Sequence, residues 1–284
     1  METGRASKTA LRVAMRRAAH QVLDQPRVLD DPIAVPLLGP RFSVDRSSES
    51  SRLARGFRAF MAARSRYAED RLAESVAQGP EAQGVAQYVI LGAGLDTFAY
   101  RNPFPQLRVF EVDFPATQGW KRTLLAEARI AEPANLTFVP LDFEHKTLAE
   151  GLAQAGFDAA KPAFFAWLGV VPYLTLEAFR STLETIARLP AGTAVSFDYG
   201  LTPQSFGPLQ RLAFNTLAQR VAKAGEPFQL FFTPEKLDAE FVRAGFRRFE
   251  QLDSAQLNAR YFAGRADELQ LPTPGLGKVA TAWV

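Results

Sequence analysis

The chain reads as an α/β protein built on a doubly wound, mainly parallel, seven-stranded sheet, and three observations support this. Five short apolar runs, at 87–91, 107–112, 136–140, 163–169 and 194–199, alternate with segments whose apolar residues recur at helical spacing. Two further runs, 246–252 and 278–284, bring the strands to seven. A glycine turn, Gly92-Ala93-Gly94, follows the first run directly, as expected where a parallel sheet meets a ligand at its strand ends. The first eighty residues contain no such runs, so residues 1–80 are expected to form a helical cap and residues 81–284 the sheet-bearing core.

Residues 8–24 place Leu11, Ala14, Met15, Ala18, Ala19 and Val22 on one helical face. Pro26, Pro32, Pro36 and Pro40 then break the chain into short pieces. The polar stretch 45–58, with serines clustered in 47–51, reads as a mobile loop leading into a helix over 59–77, which Gly79 and Pro80 stop. Within the core, helices are expected at 116–130, 147–155, 176–189 and 234–244. A helical stretch at 202–224 lies in an insertion near 202–232, after the fifth strand.

Composition excludes several classes of function. The 284 residues include no cysteine, which removes disulfides, thiolate nucleophiles and cysteine-ligated zinc. The two histidines, His20 and His145, are too few for a multi-histidine metal centre, so no metal requirement is expected. A net charge of +3 from scattered basic residues does not suggest a nucleic-acid partner. The longest apolar run, 163–174, is about half of what a bilayer crossing requires, so no membrane association is expected. Arg12, Arg16 and Arg17 interrupt every candidate export signal, and the expected location is the cytoplasm.

The segment Val89-Ile-Leu-Gly-Ala-Gly-Leu-Asp96 runs from a buried strand into the glycine turn. Taken alone, G-x-G also fits an ordinary tight turn; the third glycine of a dinucleotide fingerprint would stand at Thr97 and is absent. The second strand ends with Glu111 and Asp113, 19 and 21 residues after Gly92, where an acid can accept hydrogen bonds from ribose hydroxyls. Asp113 lies nearer the tip; its competing role is to cap the following helix. Asp142 and Phe143 follow the third strand and suit an adenine, with helix capping again the alternative. Together these features point to a nucleoside-bearing cofactor.

Several blocks closely resemble the leucine carboxyl methyltransferase family: Ala63-Arg-Ser-Arg-Tyr-Ala-Glu-Asp-Arg-Leu72, the glycine block continued to Arg101, and Phe110-Glu-Val-Asp-Phe-Pro115 with Lys121. The segments 17–24, 29–34 and 234–246 resemble its bacterial branch, which includes tetracenomycin-polyketide-type O-methyltransferases. The resemblance implies a class I, Rossmann-like methyltransferase that uses S-adenosyl-L-methionine. It places Arg64 at the carboxylate of the cofactor's methionine part, with Arg66 the fallback. It also places Gly92 and Gly94 beside the cofactor, Asp113 at the ribose, and Asp142 with Phe143 at the adenine. Many members carry a glutamate where this chain has Leu168, which leaves a backbone contact at that position.

The expected acceptor is a carboxylate or phenolic oxygen of a small, apolar, polyketide-like or aromatic molecule. Tyr173 and His20 are candidate catalytic residues, and Tyr199 and Arg17 candidate acceptor contacts; a packing role is the alternative for His20, Tyr173 and Tyr199, and a solvated helix face for Arg17. Two other functions compete: a protein C-terminal carboxyl methyltransferase, and a non-catalytic nucleoside-cofactor-binding protein. A nicotinamide oxidoreductase would need the missing third glycine and a Tyr-x-x-x-Lys donor pair, which the chain lacks.

Overall fold

The computed structural model describes residues 7–77, 84–142, 146–222, 225 and 227–284. Its parallel strands are β1 (Gln87–Leu91), β2 (Arg108–Asp113), β3 (Leu136–Pro140), β4 (Phe164–Trp167) and β5 (Ala194–Leu201). A two-residue β6 (Phe231–Phe232) runs parallel to the end of β5, while β7 (Arg248–Leu252) and β8 (Gly277–Trp283) form an antiparallel pair. The order is β3-β2-β1-β4-β5-β8-β7, with β6 lying beside β5 off this path. The sheet therefore has eight strands where the sequence suggests seven. Two residues at the end of an insertion are too short to show a period of two, and only pairing with β5 makes them a strand.

Helices cover both faces. Val89 and Leu91 pack into one layer with Phe165, Phe179 and Leu183, whereas Tyr88 and Ile90 face Phe98, Phe164 and Leu72 on the other side. That alternation is the two-residue period of a strand buried on both faces. The first layer is roofed by α6 (Leu148–Gln154), α7 (Leu176–Ala187) and α9 (Pro234–Ala244). Thr147 and Glu150 form a capping box that starts α6, and Thr233 caps α9 just before a proline at its first position.

On the opposite face lies α4 (Arg52–Ala77), which begins seven residues earlier than its sequence pattern suggests. Its alanines 59, 62 and 63 give a narrow surface on which other segments pack closely, and Tyr67 shares that cluster with Val279 of β8. Against it runs α1 (Lys8–Leu23), capped by Ser7, and the short α2 (Ala34–Leu38) packs in turn on α1. A one-turn α3 (Arg46–Glu49) occupies the serine-rich stretch, α5 (Pro115–Glu127) follows β2, and α8 (Pro208–Ala222) forms the insertion. The sequence pattern missed α10 (Ser254–Tyr261), although its capping box, Asp253 with Gln256, is a readable start signal. Among the described residues, no helix is long and apolar enough to cross a membrane.

Candidate active site

The chain order reverses between β1 and β4, so the crevice for a ligand lies beyond their carboxyl ends. Gly92 and Ala93 both donate their N–H groups to the Val112 carbonyl, at 2.8 and 3.1 Å, which ties the turn to β2. Gly92 is exposed with φ +65°, and a Cβ there would lie 2.5 Å from Cγ2 of Val170 in the turn after β4. Glycine is therefore required both by the backbone angle and by this close approach. Gly94 sits under α1, where an added Cβ would meet the Ala10 side chain.

Asp113 joins the two strand tips. Its Oδ2 accepts the Gly94 N–H and its Oδ1 accepts the Phe114 N–H at 2.6 Å. The capping alternative does not hold, because α5 is preceded by Phe114 and has no side-chain cap. Asp142 does not cap α6 either, since Thr147 fills that position. Asp142 is half-buried at the tip of β3, and its neighbour Leu141 donates an N–H to the Asp113 carbonyl at 2.9 Å. Phe143 lies outside the described residues.

Arg64 reaches this region from α4. It is 6% exposed, its Nη1 donates to Asp198 Oδ2 at 2.9 Å, and its guanidinium lies over the Phe60 ring. The other oxygen of Asp198 accepts the Gly169 N–H at 2.6 Å. Arg66, two residues further along α4, is exposed and pairs with Asp70 at 2.7 Å, away from the crevice. Leu168 is half-buried in the turn after β4 and packs against the cluster of Tyr88, Ile90 and Phe98.

Three of the expected contacts lie elsewhere. His20 is fully buried; its Nδ1 pairs with Asp24 Oδ2 at 2.8 Å and its Nε2 accepts the Val28 N–H at 3.0 Å. With both nitrogens occupied, the ring holds the cap together and does not face an acceptor. Burial raises the Asp24 carboxyl, but hydrogen bonds from His20 and Arg58 outweigh this and hold it below its ordinary value. Arg17, only 4% exposed, donates to Asp31 at 2.6 Å, Asp96 at 2.8 Å and Thr97 at 2.6 Å. It therefore clasps α1 to the glycine turn. Tyr199 is buried in the sheet core beside Phe232, with its hydroxyl on Gln251. Its packing role prevails because residue 199 falls on the strand face turned to α9.

Tyr173 does stand at the crevice, in a 3-10 turn after β4. Its ring lies 5.3 Å from that of Phe228, which neighbours Phe214 and Phe231; Phe214 also contacts Phe206 at 5.5 Å. Asp198 escaped the sequence reading. Its signal was an acid within a mainly apolar run, since a carboxylate on a buried strand must have a buried partner. Below the glycine turn, Glu111 and Lys121 form a fully buried ion pair. Burial pushes Glu111 up to about 7, although Lys121 opposes the shift. Among the described residues, no group of three metal-ligating side chains occurs.

The strand order, the glycine turn and the antiparallel last pair define a class I methyltransferase. A crystal structure from Thermobifida fusca, provisionally named a methyltransferase, superposes with a TM-score of 0.57 at 18% identity and covers 99% of this chain and 96% of its own. The chain belongs to the leucine carboxyl methyltransferase family, whose model matches residues 10–187. A Bacillus subtilis relative, YktD, provisionally named an S-adenosyl-L-methionine-dependent methyltransferase, is 32% identical over 95% of both chains. A Mycolicibacterium vanbaalenii protein with the same provisional name is 34% identical over 64% of this chain and 63% of its own. The protein is thus a methyltransferase whose cofactor is S-adenosyl-L-methionine.

Proposed function

We propose that the enzyme is an O-methyltransferase acting on a carboxylate or phenolic oxygen of a small, ring-containing, polyketide-like molecule. The observation that supports this reading is the aromatic wall of Tyr173, Phe228, Phe214, Phe231 and Phe206, which links the β4 turn to the insertion. Flat apolar rings recognise flat apolar rings through offset or edge contacts. A cavity of about 440 Å3 lined by Phe206, Pro208, Arg211, Leu212 and Asn215 continues that wall. The family's name favours the carboxylate of the two oxygens.

The strand tips fit the cofactor. Gly92 leaves a bare backbone surface at the switch point, and the Asp113 carboxylate stands beside it, held by the Gly94 and Phe114 N–H groups. In this reading Arg64 holds the cofactor's carboxylate, Gly92 and Gly94 line it, Asp113 accepts from the ribose, Asp142 with Phe143 meets the adenine, and Leu168 offers backbone groups. The cofactor, when bound, supplies a methyl group already activated by its sulfonium. The protein's task is then to hold the acceptor oxygen in line, exclude water and orient it through Tyr173. An ionised carboxylate needs no general base, so the structural role of His20 is no obstacle.

A methyl-transfer screen by mass spectrometry on aromatic acids, phenols and C-terminal leucine peptides tests the proposal. Gain of one methylene unit on the small molecules is expected, with base-labile products marking esters. Transfer to the peptides alone would replace this reading with protein carboxyl methylation. If esters form, Tyr173→Phe is expected to keep substantial activity, whereas a loss beyond about a thousandfold would make Tyr173 an acid–base group. Activity is expected to survive EDTA; restoration by magnesium after its loss would contradict the metal-free reading.

A further inference from the structure

We propose that Asp198 is a positioning residue for the cofactor's carboxylate end and acts through Arg64. This rests on the reading of Arg64 given above. Each oxygen of Asp198 has one donor: Oδ2 takes Arg64 Nη1 at 2.9 Å and Oδ1 takes the Gly169 N–H at 2.6 Å. Both side chains are more than nine-tenths buried, so water does not compete for these contacts. Gly169 completes the arrangement. It has φ +72°, and a Cβ there would lie 2.9 Å from Arg64 Nη2 and 3.1 Å from Nη1. The guanidinium therefore rests on the bare backbone of the β4 turn, pinned at one edge by Asp198.

The same turn carries Val170 against Gly92, and the 3-10 turn with Tyr173 follows. Asp198 thereby joins α4, β5 and the β4 turn, the three segments that bracket the crevice. A long arginine on a helix would otherwise lose much rotamer freedom each time a carboxylate arrived; Asp198 fixes it beforehand. A competing effect runs the other way, because the negative charge of Asp198 opposes that of an incoming carboxylate. Orientation is taken to win because the pair is buried and its geometry is fixed from both oxygens.

Asp198→Asn separates the two effects. Asparagine keeps the shape but offers one oxygen and an NH2 group, so one of the two donors meets a donor. Calorimetric titration uses two probes, S-adenosylhomocysteine, which carries the amino-acid carboxylate, and 5′-methylthioadenosine, which lacks it. For Asp198→Asn, affinity for the first is expected to fall about ten- to a hundredfold while the second is nearly unchanged. Gly169→Ala, which pushes on the guanidinium and leaves Asp198 in place, is expected to show the same selectivity and serves if Asp198→Asn does not fold. Arg64→Met tests the underlying reading: without a selective loss for S-adenosylhomocysteine, Arg64 does not hold the carboxylate. If Arg64→Met is selective but Asp198→Asn is neutral, tightens binding or weakens both ligands alike, the role of Asp198 is overturned while that of Arg64 stands.

Discussion

Replacing Asp113 by alanine is expected to weaken S-adenosyl-L-methionine binding about ten- to a hundredfold, or roughly 1.5–3 kcal/mol. Two losses combine. One is the acceptor proposed for the ribose hydroxyls. The other is the bond from Gly94, which with the Phe114 contact fixes the glycine turn against the tip of β2. The second loss sets the variant apart from a simple contact deletion: the freed Gly94 N–H is expected to let the glycine turn reorient. Asp113→Asn, which keeps one acceptor, is expected to fall between the two. Calorimetry on both variants decides the matter, and wild-type affinity in Asp113→Ala would place the ribose elsewhere.

The largest expected effect on stability comes from Arg17. Arg17→Met keeps most of the stem and removes the cation that joins Asp31, Asp96 and Thr97, leaving the buried Asp31 carboxylate with Arg101 and the part-buried Asp96 with Arg101 and Lys121. Removing one partner from a buried ion pair costs about 3–5 kcal/mol, and the midpoint of urea unfolding is expected to fall accordingly. The acid limb of the stability curve is a second readout. Burial raises Asp31, but the charges of Arg17 and Arg101 outweigh it and hold the carboxyl below its ordinary value; Asp96 behaves alike. A depressed folded value contributes stability that is fully present above the unfolded value of about 3.9 and lost as pH falls through the folded one. Arg17→Met removes the largest of the charges that cause that depression, so its stability is expected to depend less steeply on pH in the acid range. An unchanged midpoint and acid limb would show that Arg101 and Lys121 satisfy both carboxylates without it.

This clasp matters beyond stability because it connects the first helix to the glycine turn. Asp31 lies in the loop after α1, Asp96 and Thr97 just past Gly94, and Arg101 turns back to Glu69 on α4. The first helix, the glycine turn and α4 thus share one buried polar cluster. Reading Arg17 as an acceptor contact came from its charge and its place on the first helix; packing turned that charge inward.

The fold was legible because its signals are local. The runs at 87–91 and 136–140 coincide with β1 and β3; β1 is buried along its whole length and so is largely apolar, and the edge strand β3 is half-buried yet still carries Leu136, Phe138 and Val139. The glycine turn and Asp113 were legible for a related reason: backbone shape at a strand end restricts residue type whatever packs above it. Failures came where a partner distant in sequence decides. β6 is a strand only beside β5, and the early start of α4 is matched by Gly56 packing against Pro272.

The amino-acid sequence by itself determined the alternation of strand and helix, the strand ends at which the crevice opens, and the blocks that mark the family. Tertiary structure alone decided which polar groups meet. Arg17 finds Asp31 across 14 residues and Arg64 finds Asp198 across 134. Periodicity is written residue by residue along the chain, whereas the cost of burying an unpaired charge requires only that some partner exist. Which partner it is depends on where the helices cross the sheet. For that reason His20, Arg17 and Tyr199 are held by partners inside the fold, and Asp198 meets Arg64.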